Sequence, residues 1–384
     1  MQLKPVHILL VFALLLIGTG RNGRYLYDSP HTIVPNSIAD GLILEYEPVP
    51  LMEIAPERDM IGPLQYKGGL WITSEHTKFS SLSAMQIIPG RSNRDNVSLL
   101  TLSDAGRLAL FETIERDGLL VGVKGNYIAS LRDSNGKTMN KYNSDTEALS
   151  LRPAQKTAGY RALDQIWISY ERNMRLTQYI GPFTRDPARA LMASEVQQID
   201  ISDLAHTING GAEAFATIGP RNDYILLSEK GPGKAGSDTR DAIIHRTALL
   251  KSGRNEERFH FSLKTDNGFN PTDIAIVNDN YALLLLRRWT PFSGFAIRLS
   301  WLEYGKAVPG AVMESQTIVE IRPPWTVDNF EALTVRPTPG KPGYLDLYLL
   351  SDDNGNPLQR CLLLKFTIAY FGTYRNPALW RPKG

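Results

Sequence analysis

The chain has 384 residues, too many for one small core and enough for two domains or one large repeat array. Hydrophobic residues make up 42% and charged residues 21%, an ordinary soluble balance, and 42 basic against 40 acidic side chains leave no electrostatic footprint for nucleic acid. A single cysteine, Cys361, rules out a disulfide framework and a Cys/His zinc site. Within the apolar run Cys361–Leu364 it reads as a small buried hydrophobe.

The first element is an apolar run from Val6 to Ile17, broken only by His7. Lys4 precedes it and Gly18-Thr19-Gly20 follows. This is the pattern of a secretory signal, and the run is shorter than the ~20 residues a relaxed membrane-spanning helix needs. Residues 1–24 are therefore expected to be a signal peptide or an N-terminal membrane anchor. The rest, 25–384, is expected to lie in the periplasm or outside the cell, touching membrane only through that segment if it is uncleaved. No cysteine follows the run, which excludes a bacterial lipoprotein.

Beyond residue 25, apolar runs of strand length alternate with Gly, Asn, Asp and Pro clusters. Gly69–Thr73, Gln165–Ser169, Tyr224–Ser228 and Tyr281–Leu286 have strand composition. Asp117-Gly118, Asn135-Gly136, Asn267-Gly268 and Asn354-Gly355 signal the turns between such runs. The 31 glycines and 24 prolines favour many turns over long helices. Only residues 190–200 hold a helical period, weakly.

One unit recurs. An acidic residue and a small residue open a short strand, and a second, more apolar strand ends in Ser plus a carboxylate. Asp145–Leu149 leads to Ile168–Glu171, Gly211–Phe215 to Leu227–Glu229, and Asn329–Leu333 to Leu350–Asp353. A variant, Pro271–Ala275, leads to Leu286–Arg288, and a degenerate copy, Leu82–Met85, leads to Leu102–Asp104. Repeat starts at positions 83, 147, 213, 273 and 331 give a period of roughly 60 residues, the size of a four-stranded propeller blade with a long loop. The fold expected is an all-β propeller, six-bladed in preference to five. Residues 39–76 would complete the sixth blade or close the ring against the C-terminal strand.

These same residues carry a family resemblance. Ser103–Gly106, Asp145–Leu149, Ile168–Asn173, Asn209–Ala214, Phe269–Asp273, Asp328–Ala332 and Ser351–Asn354 through Pro357–Arg360 look like the bacterial phytase-like family, described by esterase-like activity. The resemblance runs from about residue 64 to the C-terminus. It departs at Ala105, where the family pattern has arginine. It departs again at Ser81-Leu82-Ser83-Ala84-Met85, where the family has Gly-Leu-Ser-Gly-Leu. The resemblance implies ester hydrolysis.

Inner strands line a propeller's channel, so a carboxylate at one fixed repeat position converges on the axis. Glu147, Glu213, Asp273 and Glu331 hold that position. They are expected either to bind a divalent cation, calcium by the hardness of oxygen donors, or to pair with arginines of neighbouring blades. Asp104, Glu171, Glu229 and Asp352, with Asp353, stand where strands exit into loops. The first four are candidate general bases, with a solvated turn role as the alternative. Arg172, Arg287, Arg288 and Arg360 sit beside them as candidate binders of phosphate or carboxylate, or as salt-bridge partners between blades.

Other motifs are missing or misleading. No Gly-x-Ser-x-Gly elbow and no Arg-His-Gly motif occurs. Gly231, Gly233 and Gly236 spell a GxGxxG, but Pro232 interrupts it and no amphipathic helix follows, so it reads as a flexible loop. The six histidines are scattered, and His76 beside Glu75 reads as structural. Three functions remain open: a cation-dependent hydrolase of a small phosphate or carboxylate ester, a binding ring, or a structural ring. A monomer is expected.

Overall fold

The computed structural model describes residues 39–370, except 94, 140–142, 155–162, 208–209, 220, 222, 251–252 and 267. The segment read as a signal or anchor lies outside the described residues. Five sheets, almost wholly antiparallel, stand in a ring. Their inner strands are Leu82–Ile87, Thr146–Arg152, Ala212–Ile218, Asn270–Ile276 and Phe330–Pro337. Each touches the next, and the last returns to the first. These define blades 1 to 5.

The preference for six blades is therefore corrected to five. Residues 39–73 do not build a blade of their own. Asp40–Gly41 adds to the outer edge of blade 1, opposite Tyr127 and Ile128. Leu64–Thr73 pairs with Leu362–Ala369 inside blade 5, Leu70 opposite Leu363 and Gly69 opposite Leu364, and Glu45–Pro48 lies outside it. The N-terminal strand thus closes the ring, the alternative the sequence had left open. Helix among the described residues is limited to Pro187–Ala190 and a 3-10 turn at Tyr304–Lys306. The helical period at 190–200 gives way to a strand, Glu195–Asp200.

Continuous apolar runs form these strands because every sheet is covered on both faces. One apolar cluster fills each gap between blades. Leu100 and Leu102 meet Leu149 and Ile166; Leu176 meets Phe215 and Leu226; Ile225 and Leu227 meet Leu284 and Leu286. Leu283 and Leu285 meet Leu333 and Leu349, and Leu350 and Leu363 meet Met85 and Leu99. Each such leucine contributes about 1.5–3 kcal/mol by leaving water. The GxGxxG segment is ordered rather than loose. It is the tip of a hairpin in which Pro232 opposes Arg240, and a Cβ on Gly231 would sit 1.7 Å from the Ala205 carbonyl oxygen.

The gap between blades 5 and 1 holds a buried ionic cluster as well. Glu115 accepts hydrogen bonds from Arg336 Nη2 at 2.9 Å, Lys365 Nζ at 2.7 Å and the Tyr348 hydroxyl at 2.6 Å. Asp346 pairs with Arg336 at 3.3 Å and Lys365 at 3.4 Å, and accepts from the hydroxyls of Thr338 and Thr367. Two carboxylates balance two cations away from water. Removing one member leaves the rest uncompensated, which typically costs about 3–5 kcal/mol. Lys365→Met should therefore lower the midpoint of urea unfolding by about that equivalent. A change within error would show that the cluster does not secure the closure.

Candidate active site at the channel mouth

Each inner strand opens with one extra residue against its neighbour. The pairing skips between Leu82 and Ala84, Ala212 and Ala214, Pro271 and Asp273, and Phe330 and Ala332, and blade 2 shows the same irregularity near Glu147. A bulge re-aims the extra side chain. The bulged residues are Ser83, Glu147, Glu213, Thr272 and Glu331. Ser83 and Thr272 turn their hydroxyls to equivalent carbonyls, Leu102 and Leu285. The structural counterpart of the repeat glutamates in blade 4 is therefore Thr272.

This corrects the placement of Asp273. It lies one residue further on, where its buried carboxylate accepts N–H bonds from Ile274 at 2.7 Å and from Leu333 of blade 5 at 2.6 Å. Burial pushes its pKa well above the usual carboxylate range, and those two N–H groups pull the other way. It staples blade 4 to blade 5 and does not join the other acids.

A second ring sits beside the first. The matching position on each second strand is Asp104, Glu171, Glu229, Arg287 or Asp352; it follows the strand's last residue in blades 1, 2 and 5 and lies within the longer strands Asp223–Gly233 and Ala282–Thr290 in blades 3 and 4. In blades 1, 2, 3 and 5 its backbone N–H donates to the residue two before the bulge: Ser81, Asp145, Gly211 and Asn329. In blade 4 the matching pair is Asn270 opposite Arg287. Arg287 thus replaces an acid. It pairs with Glu331, and with Glu229 at 3.0 Å, and the carboxylates around it raise its pKa against the cost of burial. Arg288, the next residue, points to the opposite face of the strand. There it lies 3.8 Å from Glu320 and over the Phe269 ring, so the expectation that it joins the site is corrected.

The remaining cations beside the acids are engaged. Arg172 Nε lies 2.7 Å from Asp145, Lys230 Nζ 2.6 Å from Glu229, and Arg360 Nε 3.8 Å from Asp328. Asp353 caps its own turn through the Gly355 N–H and accepts from the Ser81 N–H. The side-chain carboxylates of Glu147 and Glu213, by contrast, have no hydrogen bond or ion pair among the described residues. Burial raises the pKa of Glu147 well above the usual range, reinforced by the charges of Glu213, Glu171, Glu331 and Asp145. Burial does the same to Glu213, reinforced by Glu229 and Glu331 and opposed by Arg287. Asp352 is pushed up to about 9, by burial first and then by Glu331.

Ligand oxygens of Asp145, Glu147 and Glu171 all lie within 4.8 Å of one another. Calcium binds carboxylate oxygens at about 2.3–2.6 Å, so oxygens on one ion can lie up to roughly 5 Å apart. The donor set therefore fits a hard divalent cation. The expected alternatives divide by residue. Glu331 is paired with Arg287 and Asp273 is held by backbone N–H groups, while the carboxylates of Glu147 and Glu213 have no ion pair among the described residues. Asp145 was not among the candidate ligands. Its signal was the acid that opens the second repeat two positions before Glu147. Below the carboxylates the channel narrows at Gln86, Ser150, Thr217, Ile276 and Thr334 to a cavity of about 20 Å³, room for one water. Ser150 and Thr217 bond across it at 2.9 Å.

Fold and site together define a five-bladed β-propeller with an acid-lined channel mouth. Over residues 77–355 the sequence matches the phytase-like family, described by esterase-like activity of phytase, and the chain belongs to that family. No curated protein matches it. Among solved structures it is similar to the fucoside-bound Aleuria aurantia lectin, at 8% identity and TM-score 0.34, over 83% of this chain and 90% of that one. It is similar to the BP39L lectin from Burkholderia pseudomallei at 12% identity and TM-score 0.31, over 90% and 86%. The Cps50 (Swd1) propeller domain of Myceliophteria thermophila matches at 9% identity and TM-score 0.32, over 88% and 98%. Likenesses of this size bear on no function.

The raised acids set the sign of a pH effect. Folded Asp352 keeps its proton up to about 9, while its ordinary value is 3.8. Within that window the folded chain binds more protons than the unfolded chain, so stability falls as pH rises. In chelator, thermal stability is expected to decline from pH 4 toward pH 9. Asp352→Asn should flatten the decline, and a decline equally steep in that variant would exclude Asp352 as a source.

Proposed function

We propose that the chain is an exported hydrolase of a phosphate or carboxylate ester that works at the channel mouth with a divalent cation, calcium by its donor set. The observation that carries this reading is the pair Glu147 and Glu213, set among other carboxylates, neither carboxylate in an ion pair among the described residues. Asp145 and Glu171 would complete the holding set. When bound, the cation polarises the ester and acidifies water.

The chain's own groups divide the remaining work. Asp352, whose pKa stands near 9, holds a proton at neutral pH and is suited to hand it to the departing alcohol oxygen. Glu171, whose pKa burial and Asp145 raise, would lend the cation one oxygen and keep the other to take a proton from attacking water. The net change is addition of water across one ester bond, giving acid and alcohol. Arg287 holds Glu331 and Glu229 in place and offsets their charge. Export rests on Lys4 and the Val6–Ile17 run.

Two measurements test this. Calcium titration of the metal-free protein should show binding and a rise in melting temperature, since a ligand held only by the folded state stabilises it. Glu213→Gln should weaken that binding, by on the order of tenfold or more, with the β-rich circular dichroism spectrum unchanged. The calcium-loaded protein should hydrolyse members of a nitrophenyl acetate, octanoate and phosphate panel, and Glu213→Gln should be slower. Turnover of none of them, or equal turnover by the variant, would leave any bound cation structural. Separately, residues 1–40 fused to a reporter active only outside the cytoplasm should give signal. Silence would remove export from the reading.

A further inference from the structure

The hairpin tip of blade 4 exposes large apolar side chains. The second strand, Ala282–Thr290, passes the channel mouth at Arg287 and continues outward to a turn at Pro291–Ser293. Trp289 is 59% exposed and Phe292 wholly so. Residues i and i+2 of a strand share a face, so Trp289 continues the face that carries Arg287. That face is turned to blade 5, since Leu283 and Leu285 on it pack against Leu333 and Leu349. Phe295 is the cross-strand partner of Trp289 and is itself partly exposed. On the blade 5 side, the loop that begins at Asp352 presents Leu358, 90% exposed. Large exposed apolar side chains therefore stand on the segments of two adjacent blades that follow Arg287 and Asp352.

The charge of the mouth narrows what they serve. Glu147, Glu213, Glu331, Glu171, Glu229, Asp104 and Asp352 ring the channel, with Arg287 as the one cation at those repeat positions. Arg172, Lys230, Arg287 and Arg360 each already lie against a carboxylate. A polyanionic substrate would meet mostly negative charge and paired arginines, whereas an uncharged apolar ester meets an aromatic wall. Exposed tryptophan and phenylalanine gain most from an apolar partner.

We infer that Trp289, Phe292 and Leu358 form a subsite for the apolar arm of the substrate, so that the chain acts on uncharged esters with a long alkyl or aromatic group. This rests on the hydrolase reading above and adds its substrate class.

The test uses the full chain with calcium, nitrophenyl acetate against nitrophenyl octanoate, and nitrophenyl octyl ether as a probe that cannot be cleaved. The wild type should favour octanoate in kcat/KM. Trp289→Ala should reduce the octanoate-to-acetate ratio by on the order of tenfold and weaken ether binding measured by calorimetry. Phe292→Ala should act in the same direction. Both residues are exposed, so neither change threatens the fold. Hydrolysis with the same ratio in wild type and Trp289→Ala would overturn the subsite and leave the hydrolase reading standing. No hydrolysis, with ether binding that Trp289→Ala abolishes, would do the reverse. Absence of both turnover and ether binding sinks both. Should Trp289→Ala lose adsorption to phosphatidylcholine vesicles while the ester ratio holds, the tip is a membrane contact and the subsite is rejected.

Discussion

The pairing of Leu64–Thr73 with Leu362–Ala369 is the contact on which the ring depends. Without it the Leu362–Ala369 edge of blade 5 would be open, and the two ends of the ring would be joined by packing alone. The ionic cluster of Glu115, Arg336, Asp346 and Lys365 sits where blade 5 meets blade 1 and fixes that junction in one arrangement. A slightly different angle there would spread the first strands of all five blades. The convergence of carboxylates at the mouth is thus a property of the closure as much as of the repeats.

At the mouth, repetition creates a problem that the fold solves unevenly. Equivalent positions on a closed ring face one another, so an acid repeated in each blade repels its copies. The sequence breaks the repetition at chosen places. Ser83 and Thr272 take the bulge position in two blades, and Arg287 takes the acid position of the second ring in one. The positive charge falls between blades 3 and 5, so the repulsion that remains is concentrated on the blade 2 side. Glu147 there feels Glu213, Glu171, Glu331 and Asp145 together.

Much of this was legible in the chain alone. Turn signals and apolar runs marked the strands, and the recurrent acid-small-apolar unit marked the blades, because each blade solves the same packing problem with the same residues. What misled was parity. Asp273 matches the repeat by type but stands one residue past the bulge, and in a strand one residue is the difference between channel and neighbour. Arg288 fails for the same reason beside Arg287. The blade number was misjudged because residues 39–73 look like strands, which they are, while pairing is invisible in a linear pattern. The Glu115 cluster left no sign at all. Its partners Arg336 and Lys365 lie 221 and 250 residues away in sequence.

That separation has a kinetic side. A chain made from its N-terminus presents Leu64–Thr73 long before Leu362–Ala369 exists. Blades 2 to 4 can assemble from neighbouring sequence as it appears, but blade 5 must wait for the last strand. Until then an apolar strand is held with its hydrogen-bonding edge unpaired, the kind of edge that draws other chains. Ring closure is therefore the pairing that the growing chain can complete only last, after the longest wait with an open edge.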